Sequence, residues 1–103
     1  MMGFYDTKRW EHLRESILRR DGYKCRYFSR YGKMRQANTV HHVFPRDKFP
    51  EYEWERWNLI SLSHEAHNMM HYRETQELTD KGKELLRRVA RANNIKVPEE
   101  YER

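Results

Sequence analysis

Histidine is concentrated in one stretch of this chain. Five of the six histidines (His41, His42, His64, His67 and His71) fall between Thr39 and His71, and only His12 lies elsewhere. Imidazole is the commonest protein metal ligand and titrates near neutrality, so the cluster points to a metal site, an acid–base site or both. His67 and His71 are four residues apart, a spacing that on a helix puts both side chains on one face within reach of one ion. Zinc proteases use such a pair with a glutamate directly after the first histidine as general base. Here that place is Asn68, which argues against protease chemistry. His41 and His42 are adjacent, and neighbouring strand residues point to opposite sides. One of them can complete a three-histidine site while the other can stand beside it as a base. Three neutral ligands leave positions for water and substrate, the pattern of a catalytic ion.

These side chains need a frame. Asp6 is placed to cap a helix running to about Arg20, with Trp10, Leu13, Ile17 and Leu18 on one face and Asp21-Gly22 at its end. Residues 23–36 read as an irregular or hairpin-like segment turning at Gly32. Thr39 to Phe44 has strand composition and stops at Pro45. A loop through Tyr52, Trp54 and Trp57 leads to a second short strand over Asn58 to Leu62. Ser63 is a good N-cap for a helix over about His64 to Tyr72. Thr79 or Asp80 can cap a last amphipathic helix built on Leu85, Leu86 and Val89, fading near Asn93-Asn94. A C-terminal tail follows from about residue 95, frayed and acidic beyond Pro98.

Strand, strand and helix around one ion make a compact ββα unit. The expected class is α+β, with a short antiparallel hairpin flanked by N-terminal and C-terminal amphipathic helices. At 103 residues the chain has room for one domain, 1–103, with its core over about 5–90. Such small chains often need a staple beyond hydrophobic burial. The single cysteine, Cys25, rules out an internal disulfide framework and fits a reducing, cytoplasmic setting. No apolar run approaches the roughly 18–20 residues of a membrane span. A formal net charge of +5, with Lys and Arg spread along the chain, suits a folded domain with a basic face toward a polyanion.

The doublet in VHHVFP, the Asn of WNLISL and the segment HNMMH resemble the HNH endonucleases of the ββα-metal class. The surrounding YDTKRWEHLRESILRRDGYKC, RYGK and ELTDKG are similar to the frame of small HNH proteins of tailed bacteriophages. The resemblance covers roughly residues 5–90. It implies a metal-dependent endonuclease that hydrolyses DNA phosphodiester bonds by nicking or cutting, phage-encoded and linked to genome packaging. The alternative is a catalytically inactive HNH-fold module for DNA binding or packaging assembly.

By that resemblance His42 is the general base. His41, His67 and His71 are ligands of one divalent ion (Mg²⁺, Mn²⁺, Ni²⁺ or Zn²⁺), and the Asn58 amide holds the base-bearing loop or His42 itself. Because ligands and base must be neutral, activity is expected to fall below about pH 6.5. His64 stands near the same helical stripe. It could replace His41 as a ligand, touch DNA, or sit exposed in the first turn; the matching place in the family is not a ligand. DNA is the implied partner, with a terminase or portal protein as a further one by family only, and no membrane. Arg30, Lys33, Arg35, Arg46, Lys48 and Arg73 flank the proposed centre as candidate phosphate contacts.

One part of the family pattern is broken. Many relatives carry two Cys-x-x-Cys knuckles holding a structural zinc, at places matching Cys25, Phe28, Ser63 and Ala66. Only Cys25 can supply a thiolate, so no structural zinc is expected. An apolar plug of Phe28, Ala66, Tyr27 and nearby aromatics is expected instead, with Ser63 as a helix cap.

Overall fold

Thr7 opens the first helix. In the computed structural model, which describes residues 3–102, the Thr7 hydroxyl accepts the Trp10 N–H at 3.1 Å and α1 spans Lys8–Arg20. The expected cap, Asp6, is one residue early. It lies in a preceding 3₁₀ turn, Phe4–Asp6, where its carboxylate accepts the Gly3 N–H. Thr7 has the extended backbone that a cap worth about 1 kcal/mol requires. Trp10, Ile17 and Leu18 are buried and Leu13 half-buried, as the apolar stripe demands. Gly22 ends the helix in the left-handed region at φ +63°, which costs glycine little.

Asp21 is a tie between elements. Its buried carboxylate accepts Arg20 Nε at 2.9 Å, Arg26 Nη1 at 2.9 Å and the Ser61 N–H at 3.1 Å. Burial alone would raise its pKa, but hydrogen bonds from Arg20 and Ser61 hold the carboxyl below its ordinary value.

Residues 23–36 turn back at Gly32 (φ +74°), and Lys24 bridges Gln36 in antiparallel fashion, so the segment is hairpin-like as expected. It also holds a short helix, α2, Arg26–Arg30. A helix of 5 residues has too little length to show a periodic pattern.

Strand β1 spans Thr39–His42 and pairs antiparallel with β2, Leu59–Leu62, in the register His41↔Ile60 and His42↔Leu59. Strand alternation sends Val40 and Leu59 into an apolar cluster with Trp10, Ile17 and Leu18. Leu62 goes to the other face, into a larger cluster with Phe44, Met70, Leu85 and Leu86. The hairpin therefore lies between two apolar layers.

Helix α3 is His64–Asn68, with Ser63 Oγ accepting the Ala66 N–H at 3.1 Å. Its expected length, to Tyr72, is not reached. Thr79 intervenes: its hydroxyl donates to the Met69 carbonyl at 2.6 Å and its N–H to the Met70 carbonyl at 2.9 Å. His71 then bridges Leu78 as an extended residue. Pairing with the segment just before the next helix has replaced the last turn.

Thr79, and not Asp80, caps α4, Asp80–Ala92, by accepting the Gly82 N–H at 3.2 Å. Leu85 and Leu86 are buried, Val89 is half-buried, and the helix stops at Asn93. The expected frayed tail is corrected: Val97 and Tyr101 are buried. A 3₁₀ turn, Glu99–Tyr101, seats the Tyr101 ring 6.1 Å from Phe49, and Arg87 Nη1 donates to the Tyr101 carbonyl at 2.9 Å. Two apolar side chains among charged ones suffice to dock the segment, a signal that Pro98 and the glutamates mask.

The four knuckle positions have other occupations. Cys25 and Ala66 are fully buried in the larger apolar cluster, Phe28 and Tyr27 pack against it, and Ser63 caps α3.

Candidate metal centre and active site

Three elements deliver three imidazoles to one place. His41 comes from β1 on the face toward α3, His67 from the end of α3, and His71 from the extended residue beyond it. Ring centroids lie 5.2 Å (His41–His67), 5.1 Å (His41–His71) and 5.7 Å (His67–His71) apart. One ring nitrogen from each comes within 4.8 Å of the others. The helical spacing that singled out His67 and His71 is not what joins them, because His71 is outside the helix. The convergence holds by another route.

The donor set fits a metal. His41 is 1% exposed, and among the described residues neither ring nitrogen has a hydrogen-bond partner, an arrangement that is costly for buried polar atoms unless something binds them. Burial, reinforced by His67, His71 and His42, holds the His41 pKa well below its ordinary value. Burial likewise lowers His67, with His71 next in effect, and lowers His71 against an opposing pull from Asp47. All three therefore favour the neutral, ligating form. His64 is exposed in the first turn of α3, outside this group.

His42 projects to the opposite face of β1, as adjacency requires. Trp10 stacks on its ring at 5.3 Å with a 20° interplanar angle. Its Nε2 lies 3.0 Å from the Glu53 carbonyl oxygen. A carbonyl only accepts, so Nε2 carries the proton and the lone pair of the neutral ring is on Nδ1. Nδ1 faces the Tyr5 hydroxyl at 3.4 Å. Burial lowers the His42 pKa, against the hydrogen bond to Glu53, which raises it.

Asn58 is wholly buried at the base of this loop system. Its Oδ1 accepts the Phe44 N–H at 2.7 Å, and its Nδ2 donates to the carbonyls of Phe44 and Tyr52, each at 3.2 Å. It thereby clamps the chain leaving β1 to the residue before Glu53. Of the two roles open to it, its hydrogen bonds serve the loop, and His42 is held by Glu53.

A cleft of about 490 Å³ joins these parts, lined by the three clustered histidines, His42, Tyr5, Arg14, Arg46, Asp47 and Gln76 among others. Of the six cations singled out in the sequence, Arg46 lines it, pairing with Glu53 at 3.3 Å and lying 4.3 Å over the Phe4 ring. Lys33, Arg35, Lys48 and Arg73 are exposed and are not among its lining residues, and Arg30 lines a different groove. Arg14, whose Nη2 donates to the Asn38 carbonyl at 2.8 Å, lines the cleft without having been singled out. Tyr5, Asp47 and Gln76 line it as well. Nothing in their local sequence marks them, and the Glu53 contribution is a backbone atom that no side-chain pattern reveals.

No protein-family model matches the chain, and no curated protein does. Among solved structures, the chain matches the HNH endonuclease of the deep-sea thermophilic bacteriophage GVE2, determined with a manganese ion. The two are 31% identical over 63% of this chain and 71% of that one, with a TM-score of 0.61. The chain belongs to the HNH endonuclease family. Its fold is the α+β arrangement of the HNH ββα unit, here β1, β2 and α3, with α1 and α4 as flanking helices. In this HNH protein the histidine triad can hold a metal ion. Among the described residues no helix is long and apolar enough to cross a membrane.

Proposed function

We propose that this HNH protein is a metal-dependent endonuclease that hydrolyses phosphodiester bonds of DNA. The observation that carries the reading is the pairing of two features in one cleft. A buried His41 with no hydrogen-bond partner for either nitrogen among the described residues stands with His67 and His71, and His42 has its proton fixed on Nε2 by Glu53, with the Nδ1 lone pair toward the Tyr5 hydroxyl.

His41, His67 and His71 would hold one divalent ion; when bound, it supplies charge neutralisation at the phosphate and at the departing 3′ oxygen. His42 Nδ1 takes a proton from the attacking water, while Nε2–H stays on the Glu53 carbonyl so that the ring does not turn. Asn58 keeps Glu53 in place by clamping Tyr52 to Phe44. The Trp10 face excludes bulk water from one side of the base. Arg46 and Arg14 line the same cleft and hold phosphate oxygens of the strand. The products are 5′-phosphate and 3′-hydroxyl ends. Sequence preference is weak, because phosphate contacts position a duplex without reading it. The bacteriophage source of the matched enzyme supports a phage setting.

The test is plasmid conversion with Mg²⁺, Mn²⁺ or Ni²⁺ and with EDTA, comparing wild type with His67→Ala and His71→Ala. Relaxed or linear product that needs metal and both histidines supports the assignment. Binding without cleavage under every metal points instead to an inactive DNA-binding module of the same fold.

A further inference from the structure

A second groove, of about 570 Å³, lies along β2, lined by residues of α2, β2 and α4. The histidine cleft runs along β1, so the two sites use different strands of a two-stranded sheet. The groove's lining includes the half-buried apolar side chains of Trp57, Ile60 and Val89 and the guanidinium groups of Arg26, Arg30 and Arg88. Arg26 is answered by Asp21 at 2.9 Å. Arg30 and Arg88 make no ion pair among the described residues. Partial burial of Arg88 lowers its pKa, and the neighbouring Arg30 lowers it further against the pull of Glu84. Like charges beside an apolar surface are unfavourable for the free protein and favourable once an anion arrives.

We propose that this groove binds an acidic peptide segment of a partner protein, with carboxylates on Arg30 and Arg88 and an apolar side chain on Trp57, Ile60 and Val89. One feature favours a peptide over a nucleic acid. An apolar centre with arginine at its edge is the anatomy of a protein interface, whereas phosphate contacts need no such floor. The guanidinium fork matches a carboxylate in bidentate fashion.

The experiment is fluorescence anisotropy of a labelled peptide alternating glutamate with leucine, added to the whole chain. Saturable binding is expected, weakened about tenfold or more in Arg30→Glu/Arg88→Glu. It is expected to be unchanged in Arg46→Glu and unaffected by excess duplex oligonucleotide. The double change removes exposed and half-buried like charges, and Arg30→Gln/Arg88→Gln, checked by circular dichroism, guards against a folding effect. Wild-type affinity in both double variants overturns the proposal. So does equal binding of a glutamine–leucine peptide, or displacement by the duplex, which would make the groove a nucleic-acid site.

Discussion

The Glu53 carbonyl oxygen sits 3.0 Å from His42 Nε2, and this contact decides which nitrogen of the proposed base carries the lone pair. The other nitrogen, Nδ1, opens toward Tyr5 and the cleft that also holds His41, His67 and His71. The proposed base and one of the three proposed ligands, His42 and His41, are thus adjacent residues of one strand that point to opposite faces and line one cleft.

Asn58 supports that contact from behind. Asn58→Ala removes hydrogen bonds to Phe44 and Tyr52, and each buried group left unpaired costs about 1–3 kcal/mol. Chemical denaturation should show the loss. Cleavage should fall further than the unfolded fraction explains, because Glu53 no longer holds the ring. Activity strictly proportional to folded protein would remove Asn58 from the mechanism.

Gly82 in α4 packs against the backbone of Met70, one residue before His71. A Cβ there would run into the Met70 backbone carbonyl and the Leu78 side chain. Backbone cannot yield as a side-chain tip does, so Gly82→Ala should cost about 1–3 kcal/mol. It should also shift His71, the next residue, and weaken metal binding measured by calorimetry. Unchanged metal affinity would show that His71 is positioned independently of α4.

The pH dependence has a definite sign. The pKa values of His41, His42, His67 and His71 are lowered from 6.5, so the unfolded chain binds more protons than the folded one just below that pH. Stability of the metal-free protein is therefore fully present above 6.5 and is lost as pH falls from there through the folded values. Activity should follow, with its acidic limb below the 6.5 of a free imidazole, lower than the histidine types alone suggest. Denaturation midpoints and cleavage rates between about pH 7.5 and pH 5 test both. Stability that rises on acidification would contradict the burial of neutral histidines.

Metal itself should stabilise the fold. An ion at about a hundred times its dissociation constant adds about 2.7 kcal/mol, seen as a rise in melting temperature. His41→Ala should abolish that rise. His64→Ala, at an exposed residue outside the triad, should preserve it.

The residues that gather at the candidate site were legible in the sequence by type: three imidazoles that converge, one beside them, and one asparagine beneath the loop. The geometric reason was less legible. His67 and His71 matched a helical pair, yet Thr79 captures the Met69 and Met70 carbonyls and ends α3 early. That pairing links residues distant along the chain, which no local periodicity reports. Helices α1 and α4 were readable from their apolar stripes. Helix α2 was too short to read, and Val97 and Tyr101 docked a segment whose charges suggested fraying. Glu53 acts through its backbone, and Tyr5 approaches His42 across 37 positions of sequence.

The central claim is that His42 is the base of a metal-dependent hydrolysis. Its most direct test is single-turnover cleavage of an end-labelled duplex by wild type and His42→Ala, both at matched manganese occupancy. The account predicts equal metal binding and a rate about 10²–10⁴-fold lower in the variant. Equal rates at equal occupancy would contradict it.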